Sequence, residues 1–579
     1  GVSSPLIQDS GDSFRLASDP HWRVERKYNV ESLNPDDEGE WWEVTTTDGT
    51  VFEFGHNRSI SGWYAMNSVQ TVWVHSPDAG GACDGFTGDS CDKGWRWDLS
   101  TTRDTYGNEA TFHYTQEENE FHSGDGGTLK EYVRAAHLYS IKYGQARVDF
   151  VTDTRCADEE PCGETADEFP DVPWDLDCDG SSCQESPSFW TGVRLRDITT
   201  GVWTIPEGAS QPTWVDAGKW ELDYAFPEPP QDDDDEGLLA KSYPKLWLDS
   251  IQRIDVIGST PVTVPATTFD FEWLDNRVNH PAGVAAMTMA RLDTITNELG
   301  GETRFTYGQT HPCTVEQEYT ASQHQNLDCF RAWDLTQDDP PEPGIVMWHK
   351  YKVLTNTQDP MLPTGSGDRA EPITTTYTYG APQWVEETGP LPPEDSPSGI
   401  LWTEFRGQED VTATMSSGDY TDYRFHRGLG GTYTLSDSTQ VTDHDQLNGR
   451  LAEVSSHKSG GTMLSRTITQ YETSQTASMS SDNGTQYAHW VAPDVVKTTT
   501  KGATRTDTSR VEYDYDSYGN VTFERLLGDN TAGEAKRTVQ YQYYPNTTDY
   551  IVNLPGVIRL TSGWRNANNS APFGDDLAR

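Results

Sequence analysis

The stretch Val511-Glu-Tyr-Asp-Tyr-Asp516 alternates apolar and acidic residues with a period of two. Only an extended strand places Val511, Tyr513 and Tyr515 on one face and Glu512, Asp514 and Asp516 on the other. Ser517-Tyr-Gly519-Asn520 follows as a turn in which Gly519 is free to take a positive φ, and Val521-Thr-Phe523 begins the return strand. The segment is a β-hairpin, and the phrase recurs. Asp104-Thr-Tyr-Gly107-Asn108 is followed by Phe112 and Tyr114 on one face, and Arg291 to Tyr307 gives a strand, a Gly300-Gly301 turn and a second strand. Residues 138–144, 248–254, 374–380 and 537–543 repeat the strand half. The spacing is irregular, but self-similarity on this scale points to a repeat architecture.

Helical periodicity is almost absent, and 50 Gly with 33 Pro supply turns. The chain is predicted to be all-β, built of many short antiparallel strands. It carries 20 Trp, 26 Tyr and 18 Phe, an aromatic load that separates it from disordered acidic chains. Its formal net charge of -50 argues against DNA or RNA as a partner, because phosphate binding needs clustered Lys and Arg. An anionic membrane surface is disfavoured on the same ground, and no apolar run is long enough for a transmembrane helix.

Four segments break the strand pattern: 153–187, rich in Cys, Asp and Pro; 227–237, with its acidic run from Asp232 to Glu236; 337–344; and 387–398. Strands resume on either side, so these are expected to be exposed loop insertions in one repeat region, 101–579. Residues 1–100 are Trp-rich and less repetitive, and form a candidate lead-in to it.

The eight cysteines fall into local pairs: Cys83 and Cys91, Cys156 and Cys162, Cys178 and Cys183, Cys313 and Cys329. An even number in close pairs, without CxxC or His spacing for zinc, reads as disulfides formed in an oxidising, extracellular or cell-surface compartment. Among Cys156, Cys162, Cys178 and Cys183 the connectivity is left open.

The Tyr513-Asp-Tyr-Asp-Ser-Tyr-Gly519-Asn520 phrase resembles the RHS/YD-repeat family, whose units centre on Tyr-Asp followed by Gly and a polar residue. Asp104 to Asn108 and, more loosely, His444-Asp445-Gln-Leu-Asn-Gly449-Arg450 are further copies. The segments Trp42 to Gly55, Trp95 to Leu99, Asp171 to Trp174, Phe189 to Thr191, Trp348 to Val353 and Phe405 to Gly407 strengthen the resemblance to secreted actinobacterial members. The resemblance implies a spiralling, cocoon-like β-shell. It also implies a function: enclosing a C-terminal toxin or effector for delivery to competing cells, as in polymorphic toxins and the insecticidal toxin complexes. The family's closing Arg-Tyr-Tyr-Asp-Pro-like core motif is not in this sequence, so the self-cleavage residues and the effector are expected beyond Arg579. Teneurin-like adhesion or glycan binding, and a secreted carbohydrate-active enzyme, are the alternatives.

No HExxH, Walker A, GxSxG or dinucleotide fingerprint is present, so no catalytic residue is assigned. Asp175, Asp177 and Asp179, followed by Gly180, match the opening of a calcium loop, although the twelfth position is Ser186 rather than Glu. A disulfide-pinned acidic loop is the competing reading. Trp190, Trp247, Trp273, Trp348, Trp384 and Trp402 are candidate sugar platforms, set against wall packing. Asp104, Gly107, Asn108, Gly301, Tyr513, Tyr515, Asp516, Gly519 and Asn520 are assigned structural roles in the repeat.

Overall fold

The computed structural model describes residues 3–28, 33–58, 66–76, 81, 83–86, 88–123, 127–156, 165, 168–172, 185–206, 210–230, 243–256, 261–278, 286–313, 325–335, 343–361, 370–385, 404–481, 484–528, 536–565 and 576–578. It is all-β. Among the described residues the only helical element is one 3-10 turn, Asp445–Leu447. One long antiparallel sheet runs from the Leu6–Ser10 strand to the Asp576–Ala578 strand, each strand bonding the next strand of that sheet along the chain except the short Val262–Thr263, which pairs back on Trp247–Asp255 beside Thr267–Asp275. The Trp-rich first hundred residues contribute strands Leu6–Ser10, Ser13–Leu16, Arg23–Tyr28, Glu40–Thr45, Val51–Phe54 and Leu99–Arg103 to the same sheet.

The chain leaves this meander in two-stranded ribbons. Val69–His75 pairs with Ser90–Trp97, Cys329–Leu335 with Pro343–His349, Pro382–Val385 with Glu404–Gln408, and Thr432–Thr434 with Gln440–Thr442. Each ribbon is inserted between strands that remain neighbours in the main sheet, as Val51–Phe54 and Leu99–Arg103 do around the first. The core is accordingly dispersed into small clusters. Val278, Cys313, Cys329 and Met347 pack one ribbon, and Leu435 and Val441 of another meet Ala452 and Ile468 of the sheet.

One hairpin turn recurs at residues 46–50, 104–108, 297–301, 415–419, 435–439, 458–462 and 516–520. In each, the first residue's N–H donates to the fifth residue's carbonyl at 2.8–3.0 Å, and the fourth residue's N–H returns to the first residue's carbonyl. The fourth residue carries a positive φ: Gly49, Gly107, Gly300, Gly418, Ser438, Gly461 and Gly519. This is the three-residue loop closed by a bulge whose twist suits right-handed strands. In the third turn the left-handed residue is Gly300; Gly301 follows it and donates its N–H to Asn297 Oδ1 at 3.0 Å. The His444 to Arg450 segment departs from the repeat. Its extra residue breaks the five-residue spacing, so the chain takes the 3-10 turn instead and buries Leu447 at 2% exposure.

Within the insertion at 153–187 the structure describes residues 153–156, 165, 168–172 and 185–187. Among them Phe169 is buried against Trp190, and Asp171 pairs with Arg155 at 2.5 Å. An aromatic ring and a paired carboxylate give this segment reasons to stay on the wall.

Candidate functional site

The repeat explains its own tyrosines. Tyr114 donates its hydroxyl to the Leu99 carbonyl, Tyr307 to Leu292, Tyr379 to Val353, Tyr471 to Leu451 and Tyr543 to Val521, all at 2.6–3.0 Å. Tyr515 makes the same bond to Pro493. Each ring therefore packs on the sheet while its hydroxyl clasps the strand before it. Burial pushes the Tyr114 and Tyr515 phenols well above their ordinary pKa, so they remain donors. The Tyr513 and Tyr515 rings lie 6.3 Å apart along one face.

The opposite face of that hairpin is less solvated than the alternation suggests. Glu512 accepts from Arg510 at 2.9 Å and from Trp564 at 3.2 Å, and Asp514 accepts from Arg525. On the adjoining strands burial raises the Glu472 and Asp494 carboxyls, and their acidic neighbours raise them further. On this hairpin the acidic face is tied to basic and aromatic partners on its own and neighbouring strands.

The sheet returns to its own beginning. Ile7 packs against Ala477 and Ala488, far along the chain. His489 N–H donates to the Ala17 carbonyl at 2.9 Å, and Asp19 N–H returns to the His489 carbonyl at 2.9 Å. Val552 N–H donates to the Thr47 carbonyl at 2.8 Å, and Tyr550 Oη donates to the His21 carbonyl at 2.8 Å. His21, at φ 61, lies against Trp490 with ring centroids 5.6 Å apart. Burial lowers its pKa; Asp19 and Asp516 oppose that shift, while Arg15 adds to it. Beneath it lies Gly519, where a Cβ would stand 2.6 Å from His21 Cδ2 and 2.7 Å from Trp490 Nε1. These contacts form a seam that turns the meander into a closed spiral.

Beside the seam the first strands form an apolar trough of about 770 Å³, lined by residues including Leu6, Leu16, Val24, Val44, Phe52 and Leu99. Leu6 faces the trough and Ile7 faces the seam, as period-two alternation requires. The other face of the neighbouring strands is charged: Lys27 pairs with Glu43 at 2.6 Å and Arg23 with Glu25 at 3.6 Å.

The repeat residues named from sequence come together in two matching turns. Asp104 Oδ1 accepts the N–H groups of Tyr106 and Asn108 at 2.9 Å, and Oδ2 accepts Asn108 Nδ2 at 2.7 Å. Asp516 holds Tyr518 and Asn520 in the same way, at 2.9 and 3.0 Å. Hydrogen bonds, led by the one from the Asn108 side chain, hold the Asp104 carboxyl below its ordinary pKa.

Cys83–Cys91 and Cys313–Cys329 are disulfides with Cα atoms 5.5 and 6.1 Å apart. Both close inserted ribbons rather than the meander, each contributing about 2.5–3 kcal/mol on loop-entropy grounds. Cys156 is disulfide-bonded; Cys162, Cys178 and Cys183 lie outside the described residues. Asp175, Asp177 and Asp179 also lie outside them, and no group of metal-ligating side chains occurs among the described residues.

The tryptophans are taken up by the wall. The Arg134 guanidinium covers Trp190 at 3.9 Å, Trp247 donates to the Phe269 carbonyl at 2.8 Å, and Phe271 meets both Trp247 and Trp273. Arg277 lies over Trp348, and Trp384 is 2% exposed. Trp402 lies outside the described residues. The seam was the feature sequence reasoning missed. Its signals are faint: two alanines, Ala477 and Ala488, that clear room for Ile7, and a glycine beneath a histidine.

No known protein-family profile and no curated protein sequence matches the chain. Among solved structures, the crystal structure of TcdB2-TccC3 is similar over 98% of this chain and 44% of its own, at 10% identity and a TM-score of 0.47. The Photorhabdus luminescens Tc holotoxin pore is similar over 97% of this chain and 42% of its own, at 9% identity and a TM-score of 0.46. The chain thus spans less than half the length of the structures it resembles.

Proposed function

We propose that this chain is the wall of a shell that encloses another polypeptide, and that it acts without catalysis of its own. The observation that carries this reading is the seam: one continuous sheet meets its own beginning through residues 7–23, 47–49, 477–490 and 550–552. A sheet closed in this way exposes few free edges, and its small dispersed clusters suit a wall better than a solid globule. The enclosed partner is a toxin or effector segment, and the disulfide-pinned ribbons fit service outside the cell.

Small-angle X-ray scattering of the purified chain tests this. A compact protein of 579 residues has a radius of gyration of about 25 Å. A shell gives a larger value together with the scattering minimum of a hollow body. A value near the compact figure, or a profile without that minimum, overturns the proposal.

A further inference from the structure

The two Asp-x-Tyr-Gly-Asn turns share one sequence pattern and one hydrogen-bond pattern, yet among the described residues only one is occupied. In 516–520 the Tyr518 ring meets Tyr550 edge to face at 6.2 Å. Asn520 Nδ2 is shared between Asp516 Oδ2 and the Val552 carbonyl, the latter at 2.9 Å. In 104–108 the Asn108 amide is held only by Asp104 among the described residues, and Tyr106 stands 92% exposed. A Cβ on Gly519 would strike His21 and Trp490, whereas one on Gly107 would meet nothing within 4 Å.

Both turns border one continuous interface. The segment that receives Tyr518 and Asn520 also receives the 46–50 turn, through Val552 N–H and the Thr47 carbonyl. A methyl group added at Gly49 would lie 2.6 Å from Ile551 and 2.7 Å from Thr105. The row thus runs from 516–520 through 546–553 and 46–50 to 104–108, and ends on a bare tyrosine. Leu299 is also exposed at its turn tip, but Gly301 replaces the asparagine there, so that turn lacks the amide.

We propose that the 104–108 turn is a docking site for a second polypeptide segment that presents what 546–553 presents to its twin. That is an aromatic ring followed, two residues later, by an open backbone carbonyl. Tyr106 takes the ring and the free Asn108 amide hydrogen takes the carbonyl. The site does not depend on what the shell encloses, and it continues an interface the molecule already makes.

The test uses the full chain and a synthetic peptide of residues 545–553, followed by saturation-transfer NMR. Transfer to the peptide's Tyr550 ring is expected, saturable with peptide, and weakened roughly fivefold by Tyr106→Ser, the size of a lost aromatic pair. Asn108→Ser should weaken it as well. A peptide with Tyr550 replaced by Ala serves as the control and should show no such transfer. Because Tyr106 is almost fully exposed, Tyr106→Ser should keep the parent melting temperature. Absence of saturable transfer, or transfer unchanged in Tyr106→Ser, overturns the proposal.

Discussion

The hairpins Glu109–His122/Leu129–Tyr143 and Met463–Ser481/Gly484–Lys501 both outgrow the sheet that carries them. Adjoining strands pair only with their bases: 109–111 and 140–143 in the first, 463–468 and 495–501 in the second. The overhanging halves need another cover, and they find it differently. The first is covered from nearby by the 66–97 segment: Tyr114 N–H reaches the Met66 carbonyl, Gln116 the Val69 carbonyl at 2.8 Å, and Trp95 Nε1 the Val133 carbonyl at 3.0 Å. The second is covered by the first strands of the chain. The Gln116–Val69 contact spans 47 residues, and the His489–Ala17 contact spans 472 (489 − 17). On loop entropy alone that difference costs roughly 2 kcal/mol more. The local cover can form as soon as its segment exists; the seam must wait for the sheet.

The sharpest way to break the comparison is Ala488→Glu. Ala488 has no exposure and faces Ile7, so an unpaired carboxylate there should cost about 4 kcal/mol or more. Hydrogen exchange should show Asp19 and His489 losing protection while Tyr114 keeps it. Equal loss at both hairpins would mean that the two covers open as one unit.

The matched glycines come next. Gly519→Ala forces a methyl group into His21 and Trp490 at a left-handed position, an expected loss of about 3 kcal/mol. Gly107→Ala meets open space and should lose only about 1 kcal/mol, the left-handed cost alone. Urea unfolding of the two variants measures the difference directly, and equal midpoints would remove Gly519 from the seam.

Smaller effects are expected from the tyrosine clasps. Tyr515→Phe and Tyr114→Phe each remove one hydroxyl-to-carbonyl bond, worth about 1 kcal/mol. The same unfolding experiment should show similar losses, since each clasp is local to neighbouring strands.

The contrast between near and far covers also marks what the sequence reveals. Alternation at Val511 to Asp516 and the Asp-x-Tyr-Gly-Asn turns are written within a dozen residues, so strand, face and turn could all be read from them. The strands at Ile373–Tyr379 and Arg537–Tyr543 were legible for the same reason. Which residue of Gly300-Gly301 turns left-handed was not, because both lack a Cβ and the register decides. The seam was hidden for another reason: nothing local to Ile7 marks Ala477 and Ala488 as its partners. Arg510, two residues before Glu512 on the same strand, follows from the alternation, but Arg525, which ties down Asp514, comes from the partner strand, where the alternation of one strand could not place it.

The smallest expected effect is a pH dependence confined to the seam. His21 is enclosed by Asp19 and Arg15 from its own segment, Trp490 from the long hairpin, Asp516 and Gly519 from the turn, and Tyr550. Because burial lowers its pKa below 6.5, the opened seam binds the proton more tightly than the closed one. The stabilisation His21 provides is therefore complete above pH 6.5 and declines as the pH falls through that value. Between pH 7.5 and 5.5, corrected exchange of the Asp19 and His489 amides should quicken relative to Tyr114. His21→Asn keeps a side chain that tolerates the left-handed backbone but does not titrate, and it should flatten the profile. A slope that survives His21→Asn would assign the response to groups other than His21, and not to Glu472 or Asp494, whose raised carboxyls bind protons more tightly in the folded state and so act with the opposite sign.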